Sequence, residues 1–332
     1  MAKYRLFLTT QHPGDAVAML SAEFQVDANV DREKPILPAN ELLKGMRGCD
    51  AVICVLEDVI SDEVMGACSN LKLVANVAVG YDNIDVEAAT KRGILVTNTP
   101  GVLNETTADL AFALLMACAR RVAEADRYVR DRLWKNWTPE LMLGVDVYGK
   151  TLGIIGYGRI GQAVGRRGHG FGMEVLYTRR PGSSNTDPHA VSLDELLARS
   201  DFVSLHCPLT KETHHLMGER QLSLMKPQAI LINTARGAVV DQTALIAALA
   251  SGRLRGAGLD VFEDEPSVPS ELLAMNNVVL APHIGSATVE TRSNMSRLAA
   301  KGALSAFAGE LPANAVNAQV WPQFSGAVLN LK

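Results

Sequence analysis

Apolar runs alternate with segments of helical periodicity along nearly the whole chain. In its first part, runs typical of buried strands lie at residues 4–8, 51–56, 71–77 and 94–97. The segments of helical periodicity between them are residues 40–46, 62–67 and 86–91. Because strands and helices alternate over short connections, this part of the chain predicts a parallel sheet covered by helices.

A second alternation begins with an apolar run at Thr151. Further strands are predicted near residues 175–178, 202–206, 229–233, 257–261 and 278–281. Ser192 and Glu195 form a capping box for a helix at 193–198, and Asp241 caps another at 242–250. The last helix, at about 288–308, follows the final strand and would return the chain to the first domain.

Residues 151–161 read TLGIIGYGRIG, a strand-like run that opens directly into G-x-G-x-x-G with Gly156, Gly158 and Gly161. The first glycine permits a tight turn, and the second lets backbone amides approach a pyrophosphate. The third lets the following helix pack closely on the strand, with its positive end toward the anion. With a strand before it and a helical pattern after it, the motif predicts a dinucleotide site rather than a structural turn.

The predicted fold is therefore α/β, with two doubly wound parallel-sheet domains. Residues 1–100 plus 288–332 would form a substrate (catalytic) domain. Residues 101–287 would form a Rossmann coenzyme-binding domain inserted into the first. The segment at about 103–148 of this domain would be an arm that contacts a second subunit.

The turn after the second strand of the Rossmann domain bears on the choice of cofactor. NAD-binding units usually carry an acidic residue there, about 20 residues after the first glycine, which binds the ribose 2′-hydroxyl. Here that strand ends at Thr178, Arg179 and Arg180 follow, and Glu174 stands at the opposite end of the strand. Two guanidinium groups suit a 2′-phosphate. The alternative is a solvated basic turn; the position favours NADPH, with NADH possible.

One long helical pattern, residues 104–132, connects the two domains. Its segment LAFALLMACA is apolar on every face and predicts a helix that is buried on every side. A subunit interface would explain such a helix, and burial between the two domains is the alternative.

Composition excludes several classes of function. Lysine and arginine number 32 against 36 aspartate and glutamate, so no basic surface for nucleic acid or an anionic membrane is predicted. The longest apolar run, residues 110–119, is shorter than the about 20 residues that cross a bilayer. Neither terminus carries a targeting pattern. The five cysteines show no CxxC and no metal-ligand spacing, so we expect reduced thiols, no metal and a cytoplasmic location.

Three polar residues follow predicted strands in the second half of the chain. Arg236 follows AILINTA, Glu265 follows GLDVFED and His283 follows NVVLAP. Because the carboxyl ends of parallel strands meet at one edge, these residues can converge beside a nicotinamide. A histidine that donates a proton, a carboxylate on its other ring nitrogen and an arginine that binds a carboxylate together suit the reduction of a 2-keto acid. Each residue alone has a structural explanation, and their joint arrangement favours catalysis.

At these motifs the chain resembles the D-isomer-specific 2-hydroxyacid dehydrogenase family, over nearly its whole length. The motifs are GKTLGIIGYGRIG (149–161), SLHCPLT (204–210), ILINTARGAVVD (230–241), GLDVFEDEP (258–266) and APHIGSAT (281–288). The resemblance implies that Arg236 binds substrate, that Glu265 orients His283, and that His283 is the general acid/base. It also implies a homodimer in which the segment after residue 100 is the dimerisation arm.

The resemblance and the motifs together assign further contacts. Substrate contacts are expected from Arg236, His283, Leu56, Trp137 and the backbone amides of Val79 and Gly80. Cofactor contacts are expected from Thr107, Gly156, Gly158, Arg159, Ile160, Gly161, Thr178, Arg179, Arg180, His206, Cys207, Pro208, Thr213, Thr234, Ala235, Arg236, Asp260, His283 and Gly285. Asp260 would accept a hydrogen bond from the carboxamide.

Within the family, the segment around Trp137 and the Arg179–Arg180 pair are most similar to glyoxylate/hydroxypyruvate reductases. In that group a matching tryptophan reaches the partner's pocket, although interface packing would also explain Trp137. Two alternatives stay open: a dehydrogenase of another short 2-hydroxy acid, and a corepressor-like protein in which nucleotide binding gates protein association.

Overall fold

A computed structural model describes residues 4–31, 33–178 and 187–329 of the chain. The chain forms two units. Unit 1 consists of Met1–Leu103 and Ala287–Lys332, and unit 2 of Asn104–Ser286. Because the chain leaves unit 1 once and later returns to it, unit 2 is an insertion within unit 1.

Helices and strands alternate through both units. The first part of unit 1 contains β1 (Tyr4–Leu8), α1 (Ala16–Leu20), β2 (Phe24–Ala28), α2 (Ala39–Met46), β3 (Ala51–Cys54), α3 (Asp62–Gly66), β4 (Leu73–Asn76), α4 (Val86–Lys91) and β5 (Leu95–Thr97). Unit 2 contains α5 (Asn104–Ala119), α6 (Val122–Arg130), β6 (Thr151–Ile155), α7 (Arg159–Gly170), β7 (Glu174–Thr178), β8 (Ala190–Val191), α8 (Leu193–Arg199), β9 (Phe202–Leu205), α9 (Glu219–Leu224), β10 (Ile230–Asn233), α10 (Gln242–Ala250), β11 (Gly256–Leu259), α11 (Ser270–Ala274) and β12 (Val278–Leu280). The chain then returns to unit 1 with α12 (Val289–Ala308) and α13 (Trp321–Leu329).

The strands of unit 1 form a parallel sheet in the order β2-β1-β3-β4-β5. β3 and β4 are buried at every position, as expected for parallel strands covered on both faces. Helices α2, α3 and α4 pack on the sheet through an apolar cluster that includes Met46, Met65 and Ala89. Phe307 of α12 packs edge-on against Tyr4 and Phe24. The strand order reverses between β1 and β3.

The strands of unit 2 form a second parallel sheet in the order β12-β11-β10-β9-β6-β7-β8. One apolar cluster joins the sheet to α5 and α7, and another joins it to α8, α9 and α10. The strand order reverses between β6 and β9, and ligands of doubly wound sheets bind outside the carboxyl ends at such a reversal. The predicted fold class, with two parallel sheets and a Rossmann unit, is confirmed.

The connecting segment differs from the prediction of one helix over 104–132. The prediction was wrong, because α5 ends at Ala119 and α6 begins at Val122, with Arg121 between them in the left-handed region at φ 53°. The carbonyl of Ala119 accepts a hydrogen bond from Val145 N at 2.8 Å. A Cβ on Gly144 would lie 2.4 Å from the same carbonyl oxygen, so the returning chain crosses the helix end there. A contact distant in sequence therefore ends the helix.

The apolar character of α5 is explained largely within unit 2. The helix contacts α7 and the sheet strands β10 and β11. Leu114 is buried, and its Cβ would lie 2.9 Å from a Cβ added to Gly258 of β11. Ala113, by contrast, is exposed, so the helix is not buried on every side in this chain. Core packing within the unit accounts for the pattern that indicated an interface.

Candidate active site

The glycine motif forms the turn between β6 and α7. Gly156 has φ +93°, and a Cβ on it would lie 2.5 Å from Cys207 N, so only glycine fits. A Cβ on Gly161 would lie 2.3 Å from the carbonyl oxygen of Gly156. Around Gly158, in contrast, no atom among the described residues lies within 4 Å of an added Cβ. The first and third glycines are required by packing, and the second leaves the turn open.

This turn fits a dinucleotide. Gly158 is the N-cap of α7 and makes no side-chain cap, so the first N–H groups of the helix are available to an anion at its positive end. Two polar atoms at neighbouring strand ends, Thr234 Oγ1 and His206 Nδ1, are buried without a hydrogen-bond partner among the described residues. Burial lowers the pKa of His206 to about 3, so its ring is neutral, and its Nε2 lies 2.8 Å from Ser204 Oγ.

Among the residues predicted to hold the cofactor, those that the structure describes lie near the carboxyl ends of the strands of unit 2. Thr178 ends β7, and its Oγ1 accepts a hydrogen bond from Gly156 N at 3.3 Å. Thr213 is occupied within its own loop, where its hydroxyl donates to Pro208 O and accepts from Thr210 N. Thr107 of α5 lies against the turn after β12, 3.4 Å from a Cβ added to Gly285. Arg179 and Arg180 lie outside the described residues.

The turn that carries His283 is held by Asp260. Asp260 is 1% exposed, and its two carboxylate oxygens accept hydrogen bonds from Ile284 N at 2.7 Å and Gly285 N at 2.8 Å. His283 N donates to the carbonyl oxygen of Asp260 at 2.9 Å. Together these bonds maintain a backbone with φ 53° at His283, a conformation that non-glycine residues rarely adopt. Burial raises the pKa of Asp260. The hydrogen bonds from Ile284 N and Gly285 N and the charge of His283 lower it by less, so the pKa of Asp260 lies above its usual value.

His283 and Glu265 form the central pair of the site. His283 Nδ1 lies 2.7 Å from Glu265 Oε2, and the other oxygen, Oε1, accepts from Phe262 N at 3.0 Å. Burial alone would raise the pKa of Glu265. The hydrogen bond and charge of His283, the Phe262 amide and the charge of Arg236 together lower it by more, so the pKa of Glu265 lies below its usual value. An ionised carboxylate only accepts hydrogen bonds, so Nδ1 carries the proton and Nε2 is the ring nitrogen left for a ligand.

Arg236 stands on a turn that is also fixed from within the fold. Asn233, buried at the end of β10, donates to the carbonyl of Arg236 at 2.9 Å and accepts from Ala235 N at 3.0 Å. Arg236 Nη1 donates to Ala235 O at 2.8 Å. A Cβ on Gly237 would lie 1.9 Å from the carbonyl carbon of Phe262, so glycine is required where this turn meets the Glu265 loop.

The remaining predicted residues lie elsewhere. In unit 1, Leu56 follows β3, and Val79 and Gly80 follow β4 at the carboxyl edge of its sheet. Trp137 lies in unit 2 on the segment between α6 and β6 and is 74% exposed. Asn233 and Gly237, which fix the Arg236 turn, were not predicted from the sequence. For Asn233 a signal was present, because ILIN ends a buried apolar strand with an asparagine.

A Rossmann sheet with a glycine turn open to a dinucleotide, and a hydrogen-bonded histidine–glutamate pair after its strands, is the arrangement of an NAD(P)-dependent oxidoreductase. The chain belongs to the D-isomer-specific 2-hydroxyacid dehydrogenase family, since residues 112–285 match the family model described as D-isomer specific 2-hydroxyacid dehydrogenase, NAD binding domain. The matched residues lie within unit 2, Asn104–Ser286.

Similar proteins agree with the family assignment. The chain is 51% identical over 326 residues to a glyoxylate reductase of Thermococcus litoralis, covering 96% of this chain and 98% of the relative. It is 53% identical over 324 residues to a glyoxylate reductase of Korarchaeum cryptofilum, covering 96% and 97%. An NADPH-dependent glyoxylate/hydroxypyruvate reductase of Sinorhizobium meliloti, solved with NADP and malonate, superposes with a TM-score of 0.80 at 33% identity, covering 96% of this chain and 98% of that one.

Among the helices in the described ranges, none has the length and apolarity needed to cross a membrane.

Proposed function

We propose that this protein reduces small 2-keto acids to D-2-hydroxy acids with NADPH or NADH, and that glyoxylate and hydroxypyruvate are its substrates. The observation that carries the proposal is the 2.7 Å contact between His283 Nδ1 and Glu265 Oε2 beside the fixed turn of Arg236. The glyoxylate reductases at about half identity over nearly the whole chain support the choice of substrate.

In this proposal the protein's own groups move the proton and hold the substrate. Bound NADPH or NADH supplies the hydride that adds to the carbonyl carbon. His283, protonated on both ring nitrogens, donates its Nε2 proton to the carbonyl oxygen, and the hydroxy acid forms. Glu265 accepts a hydrogen bond from Nδ1 and so keeps the ring oriented. Arg236 would bind the substrate through its planar guanidinium, and the N–H groups of Val79 and Gly80 would bind the carboxylate.

The fixed turn between β6 and α7 supports a role in holding the pyrophosphate. The N–H groups at Gly158, Arg159, Ile160 and Gly161 would surround it. We further propose that NADPH is preferred to NADH, with Arg179 and Arg180 binding the 2′-phosphate.

A substrate panel tests the proposal. The purified protein would be assayed with glyoxylate, hydroxypyruvate and pyruvate, each with NADPH and with NADH, by the loss of absorbance of the reduced nicotinamide. We expect glyoxylate or hydroxypyruvate to have the highest kcat/KM. A protein that binds the nucleotide but turns over none of these acids would refute the proposal.

Glu265→Gln is expected to move the pH dependence of reduction. Because the pKa of Glu265 is lowered, its carboxylate is ionised at neutral pH and stabilises the positive charge on His283. The neutral amide removes that charge, so kcat should fall off at a lower pH than in the wild type. Glu263→Gln, at an acidic residue of the same loop, is the matched control. An unchanged profile for Glu265→Gln would remove Glu265 from the proton relay.

We also propose that the protein is a homodimer whose interface includes the segment after α5. Exposed large apolar residues are concentrated in this segment, and they are Val122, Val129, Leu133, Trp134, Trp137, Leu143 and Tyr148. Apolar side chains gathered on one exposed segment are typical of an interaction surface.

Val129→Asp combined with Leu133→Asp is expected to convert dimers into monomers, measured by sedimentation velocity. Both residues are about half exposed, at 54% and 52%, so the monomer should stay folded. Leu114, which the apolar pattern of the helix would suggest as a test, is unsuitable because it lies in the core of unit 2. Leu273→Asp, at an exposed leucine on α11, is the control. A double variant that keeps the wild-type size would exclude this interface.

A further inference from the structure

Three consecutive carbonyl groups after β4 are held by hydrogen bonds. The carbonyl of Ala78 accepts from Thr99 N at 2.9 Å. The carbonyl of Val79 accepts from Asn98 Nδ2 at 2.7 Å, and that of Gly80 accepts from Asn76 Nδ2 at 2.9 Å. The backbone of residues 78–80, which we call the 78–80 loop, is therefore fixed one peptide after another.

Holding a carbonyl also orients the next N–H group. A peptide unit is planar and trans, so the N–H of a residue points opposite to the carbonyl of the residue before it. The bond from Asn98 to the carbonyl of Val79 thus sets the direction of Gly80 N–H. The N–H groups of Val79 and Gly80 have no hydrogen-bond acceptor within the described ranges, and both residues are partly exposed.

Asn98 is itself fixed by a segment distant in sequence. Asn314, which follows α12, donates from Nδ2 to the carbonyl of Asn98 at 2.6 Å, and its own carbonyl accepts from Asn98 N at 3.2 Å. Asn314 is 8% exposed. A Cβ on Gly302 of α12 would lie 3.0 Å from Asn314 Oδ1, so the helix packs closely on this amide. The contacts run from α12 through Asn314 and Asn98 to the 78–80 loop.

From these contacts we infer that Asn98 is a positioning residue for the substrate carboxylate, acting through the direction of Gly80 N–H. The inference rests on the proposed function, in which Val79 and Gly80 bind that carboxylate. Asn98 does not touch the substrate in this account. It determines whether two N–H donors, or only one, point toward the bound anion.

Loss of the Asn98 side-chain amide should weaken binding of the keto acid more than it slows hydride transfer. The carboxylate of a keto acid is present both before and during hydride transfer, so its hydrogen bonds stabilise both states alike. Removing such a uniform interaction raises KM and leaves kcat nearly unchanged. A single hydrogen bond to a charged group corresponds to about a tenfold change in affinity.

The test compares Asn98→Ala with Asn317→Ala. Asn317 is the matched control because it is a buried asparagine of unit 1. Its Oδ1 accepts a hydrogen bond from Val96 N, and its Nδ2 donates to Ile94 O and Thr90 Oγ1, away from the 78–80 loop. Both variants should lower Tm. Only Asn98→Ala should raise KM for glyoxylate by about tenfold, with kcat within about twofold of wild type. The inhibition constant of oxamate, a carboxylate analogue of the substrate, should rise in parallel.

If Asn98→Ala does not fold, Asn98→Ser is used in its place. Serine keeps a hydrogen-bond donor on a shorter side chain, so a smaller rise in KM is expected from Asn98→Ser than from Asn98→Ala. If wild type reduces glyoxylate but both Asn98 variants keep its KM, the inference is overturned and the proposed function stands. An equal rise in KM in Asn317→Ala would indicate general loosening of unit 1 and would also overturn the inference. If wild type reduces none of the keto acids, the proposed function fails, and the inference fails with it.

Discussion

Replacing His283 by alanine is expected to lower kcat for glyoxylate reduction by about 10²- to 10⁴-fold, the range typical of a lost general acid. The nicotinamide cofactor should still bind, because the glycine turn after β6 does not depend on this side chain. The physical reason for the loss is that the alkoxide formed by hydride addition has no positioned proton donor. Steady-state rates with NADPH, together with its dissociation constant from fluorescence titration, measure the two effects separately.

The backbone at His283 calls for a second variant. With φ 53°, this position disfavours alanine, whereas asparagine tolerates the left-handed region. His283→Asn should therefore lose activity as His283→Ala does while keeping a Tm closer to wild type. His169→Ala, at an exposed histidine of α7, is the control for a histidine outside the site. Wild-type turnover by either His283 variant would refute the assignment of this residue as the acid.

Changing both Arg179 and Arg180 to alanine is expected to raise KM for NADPH by about a hundredfold, with little change for NADH. Hydrogen bonds between charged groups contribute roughly 1.5–3 kcal/mol each, or about tenfold or more for each lost contact. NADH lacks the 2′-phosphate, so it loses nothing. Thr178→Asp, at the end of β7, should shift the preference further toward NADH through a ribose hydrogen bond and repulsion of the phosphate.

Arg166→Ala is the matched control for these variants. Arg166 is an exposed arginine of the same unit that pairs with Glu105, so its loss should change neither cofactor's KM. The decisive comparison is kcat/KM for the two cofactors with the wild-type protein. A higher kcat/KM with NADH than with NADPH would mean that the two arginines form only a solvated basic turn.

Most strands of both sheets could be predicted from the sequence because parallel strands are buried on both faces. Such strands appear as short continuous apolar runs, as in β3 and β4, whose positions are all buried. The missed strand β2 lies at the sheet edge, and only Phe24 of its residues is buried, so it leaves no apolar run. The short helix α1 was missed for a related reason, since it buries only Ala16 and Leu20.

The candidate site could be predicted in part. The glycine motif and the three residues Arg236, Glu265 and His283 were predicted because each follows a predicted strand, and parallel topology brings strand ends together. The sequence could not show that Asn233 fixes the Arg236 turn or that Asp260 holds the His283 turn. Both are polar residues at strand ends, but only the tertiary structure brings to them the backbone groups that they bond.

By itself the sequence determined most of the strands, the last long helix α12, the glycine turn and the histidine–carboxylate pair proposed for catalysis. These follow from burial, from the conformational freedom of glycine and from the side chains themselves, which are local properties. Only the tertiary structure decided that the connecting helix ends at Ala119, that His283 adopts a left-handed backbone and that Asn98 donates a hydrogen bond to the carbonyl of Val79. Each of these depends on contacts between residues far apart along the chain, where packing and backbone hydrogen bonds outweigh local preference.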